Sequence, residues 1–212
     1  MAGSSLFGNA ARLAAVAALL LFLLPWTALS YSPREMGNAL GMPDASTMFG
    51  SSENCPIVRA SGLQLAMGSA AVDRECRGVL ADLVPETNPD DDPDNPFAKA
   101  EIPVIAGALL LVLTLIAGVP LKGRAAAIAA ALGPALAAAA FCYSVLMRIP
   151  AALRDAPDAT GGPDLTADQL AQIIQVTPQF GFWLEIVALL AAIVLALLAA
   201  RTPRPAAAPP PA

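Results

Sequence analysis

The chain has 212 residues, 57% hydrophobic and only 14% charged, with 17 acidic against 12 basic side chains and a formal net charge of −5. Soluble domains carry about 25% charge, so this composition, with a mean hydropathy of +0.63, belongs to the membrane class before any segment is located. Histidine is absent, which excludes His-ligated haem, His-containing zinc sites, and Ser-His or Cys-His nucleophile pairs.

A membrane span needs about 20 mostly apolar residues. In chain order, residues 1–12 read as a cytoplasmic N-terminus and 13–30 as a first span that ends with Pro25 and Trp26. An extracytoplasmic loop follows over 31–101, and a second span over 102–119. The cytoplasmic turn 120–124 is too short for anything but an antiparallel hairpin into a third span, 125–147. A second outer loop covers 148–181, a fourth span 182–200, and a disordered Pro- and Ala-rich cytoplasmic tail 201–212. The expected fold class is an all-α membrane protein, a four-transmembrane-helix bundle with a small disulfide-stapled extracytoplasmic cap.

Charge sets the orientation. Arg12, Lys122, Arg124, Arg201 and Arg204 fall on one side, which carries no acid. The positive-inside rule makes that side cytoplasmic. Trp26, Phe182 and Trp183 are expected at the outer interface as an aromatic belt. Arg12, a short apolar core and Ala28-Leu29-Ser30 also fit a signal peptide with a small-residue cleavage site. Pro25 and Trp26 favour a retained anchor, and cleavage would leave three spans in the same orientation.

The third span is Ala-rich, and small residues let helix backbones approach closely in a membrane. Gly133-Pro134 at its middle predicts a kink, because proline removes a backbone hydrogen bond and crowds the preceding turn. Absorption by packing is favoured over a binding-site role. Glu185 is the sole acid within a span. Intramembrane carboxylates are costly and mark functional candidates. The blander expectation is an interfacial residue near the helix N-terminus, hydrated or paired with Arg148 or Arg154.

In the long loop, Cys55 and Cys76 lie on the oxidising side, so a structural disulfide is expected. It would close a loop of about 22 residues, worth roughly 3 kcal/mol. Cys142, in the third span, is expected to be a small buried apolar residue. Pro56 to Ala60 reads as a strand, Ser61-Gly62 as a turn or cap, and Leu63 to Met67 as a short helix stopped by Gly68. A further amphipathic helix is expected over 73–83. The acidic, proline-rich stretch from Pro85 reads as a solvated linker into the second span. A sharper alternative is a calcium site. Asp90, Asp92 and Asp94 at positions 1, 3 and 5, Phe97 at position 8 and Glu101 at position 12 follow EF-hand ligand spacing. Asn95 stands where that loop wants glycine, and prolines occupy positions 4 and 7. In the second outer loop, Thr166 and Gln169 form a capping box, and Leu170, Ile173 and Ile174 share one face of a short surface helix.

Leu24-Pro25-Trp26, the run Ser61-Gly62-Leu63-Gln64-Leu65-Ala66 with Gly68, and Gly181-Phe182-Trp183-Leu184 resemble a loose group of uncharacterised bacterial four-span inner-membrane proteins. The layout is also similar to claudin-like tetraspan proteins, with a larger first outer loop and a cysteine pair. The claudin Gly-Leu-Trp signature before the first cysteine is missing, so no residue role carries over. DsbB-type thiol oxidases share the outer cysteines, but Cys55 and Cys76 are far apart and the second outer loop has none, which argues against redox catalysis.

The expected function is a non-enzymatic accessory or scaffold protein of the bacterial inner membrane. Both termini are expected in the cytoplasm. The partners would be the lipid bilayer and another membrane protein or complex, with no nucleic acid and no cofactor other than the calcium alternative. The second reading is a small transporter or ion-handling protein using Glu185 and the Gly133-Pro134 kink.

Overall fold

The computed structural model describes residues 3–32, 55–69, 71–72, 99–117, 124–154 and 174–201. Helix α1 (Gly3–Leu21) leads through a tight turn into strand β1 (Pro25–Tyr31). Strand β2 (Cys55–Ser61), helix α2 (Gly62–Met67) and the short strand β3 (Ala71–Val72) follow. Helices α3 (Ile102–Ala117) and α4 (Arg124–Tyr143) come next. Helix α4 runs without a break through a π-helical turn, Ser144–Arg148, into α5 (Ile149–Arg154). Strand β4 (Ile174–Pro178) then feeds α6 (Phe180–Arg201).

The strands form one antiparallel sheet in the order β3-β2-β1-β4. This overturns the expected all-α class. The first apolar run does not stay helical as far as residue 30. Pro25 lacks an amide hydrogen and disfavours helix at Leu24, and Trp26, Thr27 and Tyr31 are strand-favouring residues. The continuation becomes the central strand β1, with Ala28, Leu29 and Ser30 paired on both sides. Ile174, expected on a helix, begins β4 opposite Tyr31. The expected amphipathic helix over 73–83 and the Thr166/Gln169 capping box lie outside the described residues.

The four-transmembrane-helix bundle is corrected as well. Among the described residues, two helical stretches are long and apolar enough to cross a membrane: Ala126–Ala152, along α4 and α5, and Phe180–Arg201, which is α6. The apolar parts of α1 and α3, Phe7–Leu21 and Ile102–Ile116, are shorter. Helix α1 is cut by local sequence, the approach to Pro25. Helix α6 packs against α1 and α4, and α3 packs against α4.

The disulfide staple is not supported either. No cysteine pair stands at disulfide distance among the described residues. Cys55 is held by strand pairing opposite Tyr31, and Cys76 lies outside the described residues. The strand and helix between them fold as their sequence dictates. Ser61 caps α2 with a capping box: its hydroxyl accepts from the Gln64 amide at 3.2 Å, and its own amide donates to Gln64 Oε1 at 2.8 Å. Gly68 ends the helix in the left-handed region at φ 68°.

Backbone hydrogen bonds join the sheet to the helices. The Leu63 amide donates to the Phe22 carbonyl at 3.1 Å, Glu101 to Leu65 at 2.9 Å, and Gln179 to Trp26 at 2.7 Å. The core sits at this junction, where Phe22, Trp26, Leu65, Val104, Phe141, Val145 and Phe182 pack together. Trp26 is its centre. Its ring centroid lies 4.7 Å from Phe141, 5.0 Å from Phe22 and 6.0 Å from Phe182, in edge-to-face arrangements that aromatic quadrupoles favour. The expected aromatic belt is therefore divided: Trp26 and Phe182 are fully buried, while Trp183 is 53% exposed.

Along the helices, many buried positions hold small residues, beside the larger Val104, Leu111, Phe141 and Leu189, and large apolar residues also stand exposed. Ala11, Ala15 and Ala18 of α1, Ala131 and Ala137 of α4, and Ala192 and Ala196 of α6 face inward. Leu13, Leu109, Leu132, Leu136, Val187 and Leu190 face outward. The tightest approach is between α3 and α4. A Cβ at Gly133 would overlap Thr114, whose hydroxyl donates to the Leu110 carbonyl at 2.7 Å. Helix α4 continues through Pro134, so the Gly133-Pro134 step is a packing notch filled by Thr114.

Candidate functional site

Among the described residues, two carboxylates are buried in the interior, Glu101 and Glu185. The first, Glu101, immediately precedes α3 and is anchored by its backbone to α2. Its carboxylate is buried; Oε2 accepts a hydrogen bond from the Ser144 hydroxyl at 3.4 Å and stands 3.5 Å from Arg148 Nε. Burial raises the Glu101 carboxyl above its ordinary range. The Arg148 guanidinium and the Ser144 hydroxyl pull it back by less.

Ser144 and Arg148 both belong to the π-helical turn. The wider turn re-aims side chains locally, and such turns recur at functional sites. Here it turns a buried hydroxyl and a half-exposed guanidinium onto one carboxylate. The triad ties α3 to the π-helical end of the long helix, whose continuation α5 reaches β4.

The second carboxylate is Glu185. It lies on the inward stripe of α6 with Gly181, Phe182, Leu189, Ala192 and Ala196, at the three- and four-residue spacing of one helix face. It is fully buried, and neither carboxylate oxygen has a hydrogen-bond partner among the described residues. This differs from the expected hydrated, interfacial residue. Arg148, expected as a partner, is engaged with Glu101 instead. Two further buried polar atoms lack partners among the described residues, Trp26 Nε1 and Thr27 Oγ1, both on β1. Helix α6 packs against that strand. The approach is close at the helix start, where a Cβ on Gly181 would overlap the Pro25 carbonyl and the Leu24 side chain.

The sequence-derived site residues separate in the structure. Asp90, Asp92, Asp94 and Phe97, the other positions of the calcium alternative, lie outside the described residues. Glu101 is committed to Arg148 and Ser144, and no group of three or more potential metal ligands forms among the described residues. Cys142 carries a free thiol and is partly buried against the core. Sequence reasoning missed the Glu101–Ser144–Arg148 triad because its members are 43 and 47 residues apart. The accessible signal was Ser144 and Arg148 four residues apart in an apolar helix. Nothing in the sequence marks Trp26 as a core residue rather than an interfacial one.

Compared with family models, curated proteins and solved structures, the chain matches none.

Proposed function

We propose that the protein is a non-enzymatic accessory or scaffold protein embedded in the bacterial inner membrane. The observation that carries this reading is the apolar outer face of its helices: leucine, isoleucine and valine stand exposed along them, while many of the positions packed between helices are alanine or glycine. A water-soluble fold buries its large apolar side chains. In a membrane, lipid solvates them and helices associate through small residues. Helix α6 and the α4–α5 rod are long enough to cross. Arg124 begins α4 and Arg201 ends α6, at the end of these helices opposite the sheet, which by the positive-inside rule directs that end to the cytoplasm and the sheet outward.

An accessory role is favoured over transport by how the interior is filled. The Gly133-Pro134 step is closed by Thr114, and the Glu101 triad locks helices together rather than lining an opening. The outward sheet is the surface available to another membrane protein. The test is purification from native membranes in mild detergent, with mass spectrometry of what co-purifies. The expected result is a stoichiometric membrane-protein partner that Gln175→Arg, at an exposed position of β4, releases. A monodisperse chain with no partner would overturn the accessory reading.

A further inference from the structure

The fully buried Glu185 carboxyl has a consequence independent of any accessory role. A charge without a hydrogen-bond partner or counter-ion is prohibitively costly in an apolar interior. The ionisable groups on elements packed against α6 are Arg12 of α1, Tyr31 of β1, and Arg124, Cys142 and Tyr143 of α4. Neither carboxylate oxygen of Glu185 has a hydrogen-bond partner among the described residues, and Arg148 of the π-helical turn is engaged with Glu101. The other buried polar atoms without partners on the neighbouring strand, the Trp26 indole nitrogen and the Thr27 hydroxyl, carry no charge to balance a carboxylate. Phe182 and Leu189, which flank Glu185 on the same buried face of α6, belong to the apolar core that also holds Trp26.

We propose that Glu185 is a proton-binding site enclosed between α6 and the aromatic core, and that a proton, rather than a metal ion or a basic side chain, is its occupant. One proton adds to one carboxylate oxygen, leaving a neutral acid in the folded protein at neutral pH.

Infrared difference spectroscopy of the full chain in lipid, wild type minus Glu185→Gln, reads this directly. The expected spectrum at pH 7 contains the carbonyl band of an un-ionised carboxylic acid, absent from Glu185→Gln and shifted after long exposure to D2O. Glu101→Gln should retain the band, which separates the two buried acids. Should Glu185→Gln fail to fold, wild-type chain carrying carboxyl-labelled glutamate, compared with the same label in Glu101→Gln, reads the same band. A difference spectrum with carboxylate bands alone at pH 7 would overturn the proposal. So would a band abolished by Glu101→Gln.

Discussion

Trp26 shows how a single side chain organises the junction of sheet and helices. Its ring touches Phe22, Phe141 and Phe182, so β1, α4 and α6 share one aromatic contact set. Truncating a buried tryptophan loses its transfer energy and leaves a cavity. We expect Trp26→Ala to cost about 3–5 kcal/mol, measured as unfolding by denaturant in detergent. Trp183→Ala, at a ring that is 53% exposed, should cost much less. Glu101 gives a pH-dependent counterpart. Its folded carboxyl holds its proton more tightly than the ordinary value of 4.5. Its contribution is therefore most favourable below that value and is lost as pH rises through the raised folded one. The stability of wild type relative to Glu101→Gln should accordingly fall as pH rises across that window. A difference that instead grows with pH would show that the Arg148 pairing outweighs burial.

At the scale of elements, two close approaches set the helix arrangement. Gly133 admits Thr114 of α3, and a side chain there must push the helices apart. We expect Gly133→Val to lower the melting temperature and to broaden the transition, whereas Leu132→Val at an outward position should leave both nearly unchanged. The π-helical turn is the second device. Deleting exposed Leu146 should convert it to α-helix, rotate Ser144 and Arg148 apart, and abolish the pH dependence assigned to Glu101. The same elements show what was legible in sequence. The strand from Cys55, the Ser61 cap and the Gly68 stop were readable because local hydrogen bonds and backbone conformation decide them. Pro25–Tyr31 and Ile174–Pro178 were not. Their pairing lies far away in the chain, and a short apolar run carries no period that separates strand from the end of a helix. Glu185 was legible as an unusual acid but not as a fully buried one, since burial depends on which helix face the neighbours cover.

For the whole molecule, the exposed apolar surface of the helices is the central fact. Outward leucines on α4 and α6 make sense in lipid, where a charge is costly in proportion to depth. Leu190→Arg, at mid-α6, should reduce the amount of protein recovered in the membrane fraction far more than Leu190→Phe. Labelling of single-cysteine variants with a membrane-impermeant maleimide in intact cells tests the embedded arrangement most directly. With Cys55, Cys76 and Cys142 replaced, Gln175→Cys on β4 and Arg201→Cys at the end of α6 stand at opposite ends of the molecule. We expect Gln175→Cys to be labelled from outside and Arg201→Cys to be labelled only after the cells are opened. Labelling of both from outside, or recovery of the chain in the soluble fraction, would contradict a membrane-embedded protein with its sheet facing outward.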